Sequence, residues 1–336
     1  MKSLAPWSLR VLAPQSRVNI LAAWQSNVTA CDNGRFTREG NNAGDDEASG
    51  NHVTVEALSN APLSVSVPRR CQSVTINALH VSVTAQDKLE AVEFTCEAAS
   101  VDLRASVRAD RVSIRSTHGS IASHGGLEAT VLALDAAAGL SAKRLSAHTV
   151  SVRAGDDVVV QALYATLDAH VESTVQSVAL YSLHCARASV SAKQAVTLDS
   201  LSAEAAVLIV AGSRAIVHVD KLATAAASVA VTAGAEAHAS LSPEALPCRV
   251  HAPASCVVSM PDDQSARFVA DAAADAEDDK TGDVRGVVRS ADIASAANSD
   301  AAAGGLLTLV APASRIAVQS WVEGFVFPSR LRCGIG

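Results

Sequence analysis

Residues 150–180 read VSVRAGDDVVVQALYATLDAHVESTVQSVAL and contain three short apolar triplets, at 150–152, 158–160 and 178–180. Four more triplets follow at 196–198, 207–209, 217–219 and 229–231. From residue 178 onward they begin 18, 11, 10 and 12 residues apart, a spacing near ten with one interval doubled. The first and third residue of each triplet are apolar, and this alternation is typical of a half-buried strand. A regular series of such strands in one long domain predicts a coiled stack.

The same alternation extends back to residue 53, so the repeat covers residues 53–260. Two triplets per turn give a turn of about 20 residues, and the segment would then hold roughly ten turns. Strands stacked about 4.8 Å apart would form a rod about 45–50 Å long. We therefore predict an all-β fold, a single-stack β-solenoid of roughly ten turns with capped ends. A lone helix at the Ala-rich stretches 132–145 or 222–239 is the alternative, since alanine favours helices.

Four segments are predicted along the chain. Residues 1–52 form N-terminal strands and a cap, with a flexible loop at 32–52 that is rich in Gly, Asn and Asp. Residues 53–260 form the solenoid, which ends in a cluster of prolines. Residues 261–304 are an acidic insertion rich in Ala and Asp that we expect to be disordered. Residues 305–336 form C-terminal strands and a cap, and Trp7 and Trp24 are predicted to cover the N-terminal end.

The composition excludes several classes of partner. The net charge is −7, and residues 261–304 hold ten acidic and four basic residues, so no basic cluster predicts a nucleic-acid partner. No run of 18 apolar residues predicts a transmembrane segment. Seven cysteines without a C-x-x-C pair predict buried free thiols rather than a zinc site. Cys248 and Cys256 are close enough in sequence to form a disulfide, but no other feature supports one.

The N-terminal segment bears on localisation. Residues 1–31 contain three basic residues and no acidic one, a composition typical of a mitochondrial transit peptide. Pro6 and Pro14 would interrupt its helix, and the alternation at 9–11 and 18–20 favours strands. We expect an intracellular protein, cytoplasmic unless this segment directs it to the mitochondrion.

Motifs that carry chemistry are missing from the sequence. It contains no G-x-G-x-x-G, no P-loop and no G-x-S-x-G motif, so no dinucleotide, nucleoside triphosphate or α/β-hydrolase site is predicted. His124-Gly125-Gly126 is similar to an esterase oxyanion segment but has no nucleophile elbow, so we interpret it as a corner. His118 and His124 are too few ligands for a metal ion. No catalytic, cofactor-binding or metal-binding residue is predicted, and no cofactor.

The best enzymatic alternative is a carbohydrate-active β-helix, which needs paired carboxylates and aromatic platforms for sugar rings. Asp156, Asp157 and Asp168 would supply the carboxylates, and Tyr164 and Tyr181 the platforms. An aromatic content of 3% argues against a glycan groove. The deciding observation is whether the three carboxylates converge in one cleft.

Both ends of the chain add to the repeat pattern. Alternating stretches at 9–11 and 18–20 flank Pro14, a loop and a long run of Val-x-Val and Val-x-Ile rungs follow, and the last hairpin ends in Gln319-Ser320-Trp321. In this order the chain resembles an adhesin-like domain-of-unknown-function family of β-solenoids, in particular its eukaryotic orphan branch. The resemblance implies a single-stack β-solenoid with no established activity, and it is compatible with a mitochondrial location. Alanine at many corners departs from the glycine typical of that family.

From these patterns we expect a non-enzymatic module that binds or scaffolds a protein partner, whose identity the sequence does not give. The predicted outward positions of residues 150–231 are small or apolar more often than charged: Ser151, Val159, Ala179, Thr197, Leu208, His218 and Ala230. One alternative is a polymerising solenoid that stacks end to end, and the other is the glycan-active enzyme. Capped ends argue against the polymer, because a covered end cannot accept another rod.

Overall fold

The computed structural model describes residues 7–23, 29–30, 34–39, 51–68, 70–85, 88–222, 228–244, 248–251, 255–261, 268–272, 283–290, 306–312 and 316–321. In these ranges the chain contains strands and turns but no helix, so the Ala-rich stretch 132–145 is two strands joined by a short turn and not a helix. The chain coils into a β-solenoid of about eight complete turns, slightly fewer than the ten predicted.

The strands are β1 (Trp7–Ala23), β2 (Thr29–Ala30), β3 (Gly34–Glu39), β4 (Asn51–Ala57), β5 (Leu63–Pro68), β6 (Arg70–Ala85), β7 (Lys88–Leu103), β8 (Ser106–Ser116), β9 (Ile121–Ala136), β10 (Leu140–Ala154), β11 (Val158–Ser173), β12 (Val178–Leu180), β13 (Leu183–Ala192), β14 (Ala195–Ala203), β15 (Ala206–Ala211), β16 (Arg214–Leu222), β17 (Ser228–Ala233), β18 (Glu236–Glu244), β19 (Cys248–His251), β20 (Ser255–Pro261), β21 (Phe268–Ala272), β22 (Asp283–Ser290), β23 (Leu306–Pro312) and β24 (Ile316–Trp321). Many of the longer strands continue around a corner of the solenoid, so one strand can serve two or three sides of a turn.

Each turn carries three short parallel segments rather than the two that the triplet spacing predicts. In the turn formed by β11 they are 158–160, 163–165 and 169–171, and the first and last residue of each is buried. Parallel pairing with the turns before and after stacks these segments into three ladders. We call them the first ladder, the leucine ladder and the third ladder, and their outer sides the first face, the leucine face and the third face.

The leucine ladder is the part that the triplet pattern missed. Its inward residues pair from turn to turn and are all buried: Leu89, Val107, Leu127, Leu145, Leu163, Leu183, Leu201 and Val219. Burying each such side chain contributes about 1.5–3 kcal/mol by transfer out of water. The first ladder repeats every 18 to 22 residues, which confirms the predicted turn length of about 20.

A column of small side chains explains the high alanine content. Where the third ladder ends and the chain turns toward the first ladder, the inward residues in register are Ala78, Ala98, Ser116, Ala136, Ala154, Ser173, Ala192, Ala211 and Ala233. The two serines are buried but satisfied. The Ser116 hydroxyl donates to the Ala99 carbonyl at 2.7 Å, and the Ser173 hydroxyl donates to the Asp156 carbonyl at 2.6 Å. Larger side chains would not fit between the converging ladders.

At the same corner the turns also pack backbone against backbone. The amide of Gly212 donates to the Ala192 carbonyl at 2.9 Å. A Cβ on Gly212 would overlap the carbonyl oxygen of Lys193. Gly155 makes the equivalent close approach to Ala137. Glycine is therefore required at these corners by contact with the previous turn.

The N-terminal strand lies inside the stack and not at its end. The first half of β1 pairs in parallel with β4 on one side and β6 on the other, and its second half lies between β5 and β6. Its register shifts between Ala13 and Arg17, which agrees with the predicted turn at Pro14. Trp7 is buried in this inner rung, so its predicted place at the end of the rod is wrong. Trp24 lies outside the described residues.

Antiparallel strands close the N-terminal end instead. Gly34–Glu39 pairs with β4, and Thr29–Ala30 pairs with β5. The predicted loop at 32–52 is therefore wrong for β3 and for the start of β4, because Arg35 to Arg38 find a ladder partner that sequence alone did not reveal. Residues 40–50 lie outside the described residues.

At the C-terminal end β23 and β24 add one more parallel rung to β19 and β20. Beyond β23 the order continues with β22 and then β21, both antiparallel. The prediction of a disordered 261–304 insertion is wrong for Phe268–Ala272 and Asp283–Ser290, which form this hairpin. Residues 262–267, 273–282 and 291–305 lie outside the described part of the chain.

Candidate functional site

The three carboxylates of the glycan hypothesis lie at two different corners. Asp156 and Asp157 precede the first ladder, whereas Asp168 lies between the leucine ladder and the third ladder. These two corners are the opposite ends of the third-ladder side of the solenoid, so the width of that side separates Asp168 from the other two acids. Asp168 binds the guanidinium of Arg187 through both oxygens, at 2.8 and 3.1 Å. This bidentate pair occupies the carboxylate that would have to act as acid or base.

Asp156 and Asp157 bond to the next turn. The side-chain amide of Gln176 donates to Asp156 Oδ1 at 3.4 Å, and the backbone amide of Ser177 donates to Asp157 Oδ1 at 3.1 Å. Each carboxylate therefore holds one corner onto its neighbour. The arrangement does not place the three acids around a common space.

The two tyrosines lie on neighbouring turns, but they do not stack on each other. Tyr164 is 38% exposed on the leucine face, and Tyr181 is 53% exposed at the corner between the first and leucine ladders. The ring partner of Tyr164 is His184, with centroids 6.3 Å apart and planes tilted by 42°. The guanidinium carbon of Arg144 lies 5.3 Å from the same ring centroid. Protein side chains thus already contact the Tyr164 ring, which sequence reasoning assigned to sugars.

The histidines singled out from the sequence lie apart. His118 is exposed at the corner before the first ladder, and His124 at the corner after it. His124 Nε2 lies 3.4 Å from Asp102 Oδ1. Gly125 follows at a corner where a Cβ would overlap the Ala105 carbonyl, so the interpretation of this segment as a corner is confirmed. Within the described ranges, no group of three or more His, Cys, Asp or Glu side chains is placed to hold a metal ion.

Three cysteines in the described part of the chain are buried free thiols. Burial raises the pKa of Cys71, Cys96 and Cys185 to about 12, with a further increase from Glu97 at Cys96 and from Glu204 at Cys185. Such thiols are protonated and unreactive at neutral pH. Cys248 and Cys256 lie on different ladders, since one pairs with Leu307 of β23 and the other with Ile316 of β24.

The predicted outward positions are confirmed as outward: none of the seven is buried, while the apolar residues flanking them are. One triplet differs from the expected pattern. Val217 pairs with Leu198 of the first ladder, but Val219 pairs with Leu201 of the leucine ladder. The triplet 217–219 therefore spans a corner, and His218 lies at that corner.

A polar cluster at this corner was not predicted. Asp220 accepts a short hydrogen bond from the Ser200 hydroxyl, and its other oxygen lies 2.9 Å from His218 Nε2. Burial raises the pKa of Asp220, but hydrogen bonds from His218 and Ser200 outweigh it and leave the pKa below its usual value. The carboxylate lies between serine and histidine, so His218 cannot take the Ser200 proton as in a nucleophilic triad. The cluster joins two turns.

The third face changes character along the rod. Five charged residues in register alternate in sign from turn to turn: Glu97, Arg115, Asp135, Arg153 and Glu172. Arg115 lies 3.7 Å from Asp135, and Arg153 lies 3.5 Å from Glu172. The next three residues of the column are uncharged: Ser191, Val210 and Thr232. We call residues 94–173 of this face the charged half and residues 188–233 the apolar half.

The apolar half exposes large side chains. Leu208 is 46% and Val210 38% exposed, two residues apart on the same strand, β15. Their neighbours in register include Ser189, Ala230 and Thr232, all uncharged. Two exposed apolar side chains side by side on one strand, with uncharged neighbours in register, form a candidate contact surface.

The leucine face carries a second alternating column. Arg70 binds Glu90 at 2.8 Å, and Glu128 accepts from Lys88 at 2.5 Å and lies 3.4 Å from Arg108. The sequence signal that would have revealed both columns is charge recurring at the turn length. The triplet search did not register it because it scored only apolar residues.

Comparison with known protein families, with curated proteins and with solved structures found no match. The resemblance to the adhesin-like family therefore stays a prediction that depends on the two ends of the chain. No helix long and apolar enough to cross a membrane occurs in the part of the chain that the structure describes.

Proposed function

We propose that the protein is a non-enzymatic scaffold, adhesin-like in form, that binds a protein partner through the outer faces of its solenoid. The observation that carries the proposal is the apolar half of the third face, where Leu208 and Val210 stay exposed among uncharged neighbours and Val210 occupies the column that carries alternating charge in the charged half. Interface cores are depleted in charge and close-packed. A flat parallel face of small and apolar residues offers such a surface without a cleft.

The two alternatives are less well supported. Glycan hydrolysis needs two carboxyl groups facing one glycosidic bond, at most about 10 Å apart. Asp168 is instead bound to Arg187 at one corner, while Asp156 and Asp157 bind Gln176 and Ser177 at another. End-to-end polymerisation needs open parallel edges, whereas antiparallel strands follow the parallel rungs at both ends of the stack.

A site-specific cross-linker tests the proposal. A photo-reactive amino acid placed at Leu208 should capture one discrete partner in cells. The matched control is Ser113, in the outward column of the same ladder within the charged half. The capture should fail from Ser113 and should be lost when Val210→Glu is added to the Leu208 probe. Equal capture from both positions, or measurable turnover of a glycan by the purified chain, would contradict a scaffold that binds through this patch.

For the compartment, we propose an intracellular location, cytoplasmic or mitochondrial. The support is compositional, from the basic residues of segment 1–31. A C-terminal fluorescent tag on the chain with its natural N-terminus should give a diffuse or a mitochondrial pattern. Secretion into the medium would contradict the proposal.

A further inference from the structure

Arg144 is held in a fixed place on the leucine face. It precedes the buried Leu145, and its guanidinium carbon lies 5.3 Å from the ring centroid of Tyr164 on the next turn. His184, one turn further on, lies 6.3 Å from the same ring. A ring that contacts a guanidinium through its π-system restrains it without using its N–H donors. The contact therefore leaves the N–H donors of Arg144 available to a ligand.

The charges around Arg144 are unbalanced. Arg144 forms no ion pair with any carboxylate in the described part of the chain, and the carboxylate that senses its charge is Glu128. Glu128 already has two closer cations, Lys88 at 2.5 Å and Arg108 at 3.4 Å. The hydrogen bond from Lys88 is the largest cause that lowers the Glu128 pKa, and Arg144 adds only a coulombic contribution.

The leucine face has the same excess from Arg70 to Tyr164. There its outward positions hold four basic residues against two acidic ones: Arg70, Lys88, Arg108 and Arg144 against Glu90 and Glu128. This positive face belongs to a chain whose net charge is −7. Small residues lie beside the Arg144–Tyr164 pair, since Ser146 pairs with Tyr164 and Ala162 pairs with Arg144. An extended chain can therefore approach the pair closely.

We propose that Arg144, with Tyr164 and His184, forms a docking point for an acidic peptide segment of a partner protein, with the Arg144 fork donating two N–H groups to one carboxylate. The inference rests on the proposed scaffold function and assigns its partner a chemistry. Arg and Tyr are the residue types that dominate binding energy at interfaces. A sugar would need an open ring face, and the Tyr164 ring is already in contact with Arg144 and His184.

Fluorescence anisotropy with the full chain tests this directly. The probe is a fluorescein-labelled peptide of six glutamates flanked by Gly-Ser, and its counterpart has six glutamines. The glutamate peptide should bind in low salt and weaken as salt rises. Arg144→Ala should weaken binding about tenfold, because a charge-assisted bidentate pair is lost. Tyr164→Leu should weaken it by about threefold, since the charge stays but is no longer held in place.

The matched control is Arg153→Ala, which removes the same charge from the third face, where Arg153 already lies near Glu172. It should change affinity by less than about twofold. Equal effects of Arg144→Ala and Arg153→Ala would overturn the docking point, and so would tighter Arg144-dependent binding of a heparin oligosaccharide than of the peptide. Circular dichroism confirms that each variant is folded. Cross-linking from Leu208 is independent of this assay, so the inference can fail while the scaffold function stands.

Discussion

The charged half and the apolar half of the third face share one interior and differ in their exterior. Inside, each turn presents buried residues in the same register, from Phe94 and Val112 in the charged half to Val207 and Val229 in the apolar half. Outside, alternating charges give way to Leu208 and Val210. The interior of a solenoid is constrained by its neighbours on both sides, whereas the exterior is constrained only by water and partners.

The difference also shows what each exterior contributes. In a parallel ladder, like residues lie about 4.8 Å apart, so like charges would repel along the whole column. Alternation in the charged half cancels that repulsion and leaves the surface well hydrated. The apolar half has no such device and keeps exposed carbon instead, which favours contact with another molecule.

The largest expected effects come from the shared interior. Phe94→Ala in the charged half should lower the free energy of unfolding by about 3–5 kcal/mol, and Ile209→Ala in the apolar half by about 2–5 kcal/mol. Both side chains are fully buried. Urea denaturation followed by far-UV circular dichroism measures the loss, and Leu208→Ala, on the outer side, should stay within about 0.5 kcal/mol. An unshifted Ile209→Ala transition would show that the halves do not share one core.

The next largest loss of stability should come from glycine substitutions at the corners, and it should be similar in both halves. Gly155→Ala and Gly212→Ala should each cost about 1–3 kcal/mol, because the new methyl group overlaps a carbonyl of the previous turn. Gly139 is the control, since its Cβ would lie 3.4 Å from the Asp157 carbonyl oxygen. Gly139→Ala should be neutral or stabilising by up to about 1 kcal/mol. Thermal unfolding of the three variants measures the difference in stability between Gly139→Ala and the other two. Equal stabilities would mean that the backbone at the corners relaxes to accommodate the methyl group.

The exteriors should respond differently to the same added charge. Arg153→Glu places an acid between Asp135 and Glu172 and should cost about 0.2–1 kcal/mol. Val210→Glu, between Ser191 and Thr232, should change stability by less than about 0.5 kcal/mol. Urea midpoints at low and high salt measure both. The stability lost in Arg153→Glu should be smaller in 1 M NaCl, because salt screens the repulsion. A loss independent of salt concentration would argue against repulsion along the charged column.

The two buried thiols Cys96 and Cys185, in different turns, should also make stability depend on pH. Burial raises their pKa from 9.0 to about 12 in the folded chain. Above pH 9 the unfolded chain ionises and the folded chain does not, so their stability contribution is present below pH 9 and lost toward pH 12. The urea midpoint should fall from pH 8 to pH 10, and Cys96→Ala should make that fall shallower. Identical slopes would contradict ionisation-linked unfolding.

Much of the fold was predictable because its signal is local. The triplets at 150–152, 158–160 and 178–180 alternate as strands do, and their repeat gives the turn length. The leucine ladder escaped because its triplets, such as Leu163-Tyr164-Ala165, carry a bulky or polar residue between a leucine and an alanine. Leucine and alanine both favour helices, so the local sequence preference in these triplets is for helix, whereas the 20-residue repeat requires a strand.

The candidate surfaces were less predictable, because they depend on register between turns of unequal length. Arg144 and Tyr164 are 20 residues apart, yet whether they meet depends on how the 140–154 turn aligns with the 158–173 turn. That alignment shifts between Ala147 and Thr149. Asp156 and Asp168 lie at different corners because each turn has three segments, and not the two that the triplet spacing predicts.

The position of β1 bears on how the chain reaches this state. Both neighbours of the strand, β4–β5 and β6, are synthesised after it, so its ladder with β6 cannot be complete until residue 85 has left the ribosome. Pairings of such sequence separation are slow to close. Meanwhile the rungs on either side present matching parallel edges, and closing them directly would exclude β1 from the stack. Folding at this end is thus a competition between inserting β1 and pairing its two neighbours directly. The full burial of Val11, Val18 and Ile20 in the inserted strand favours insertion.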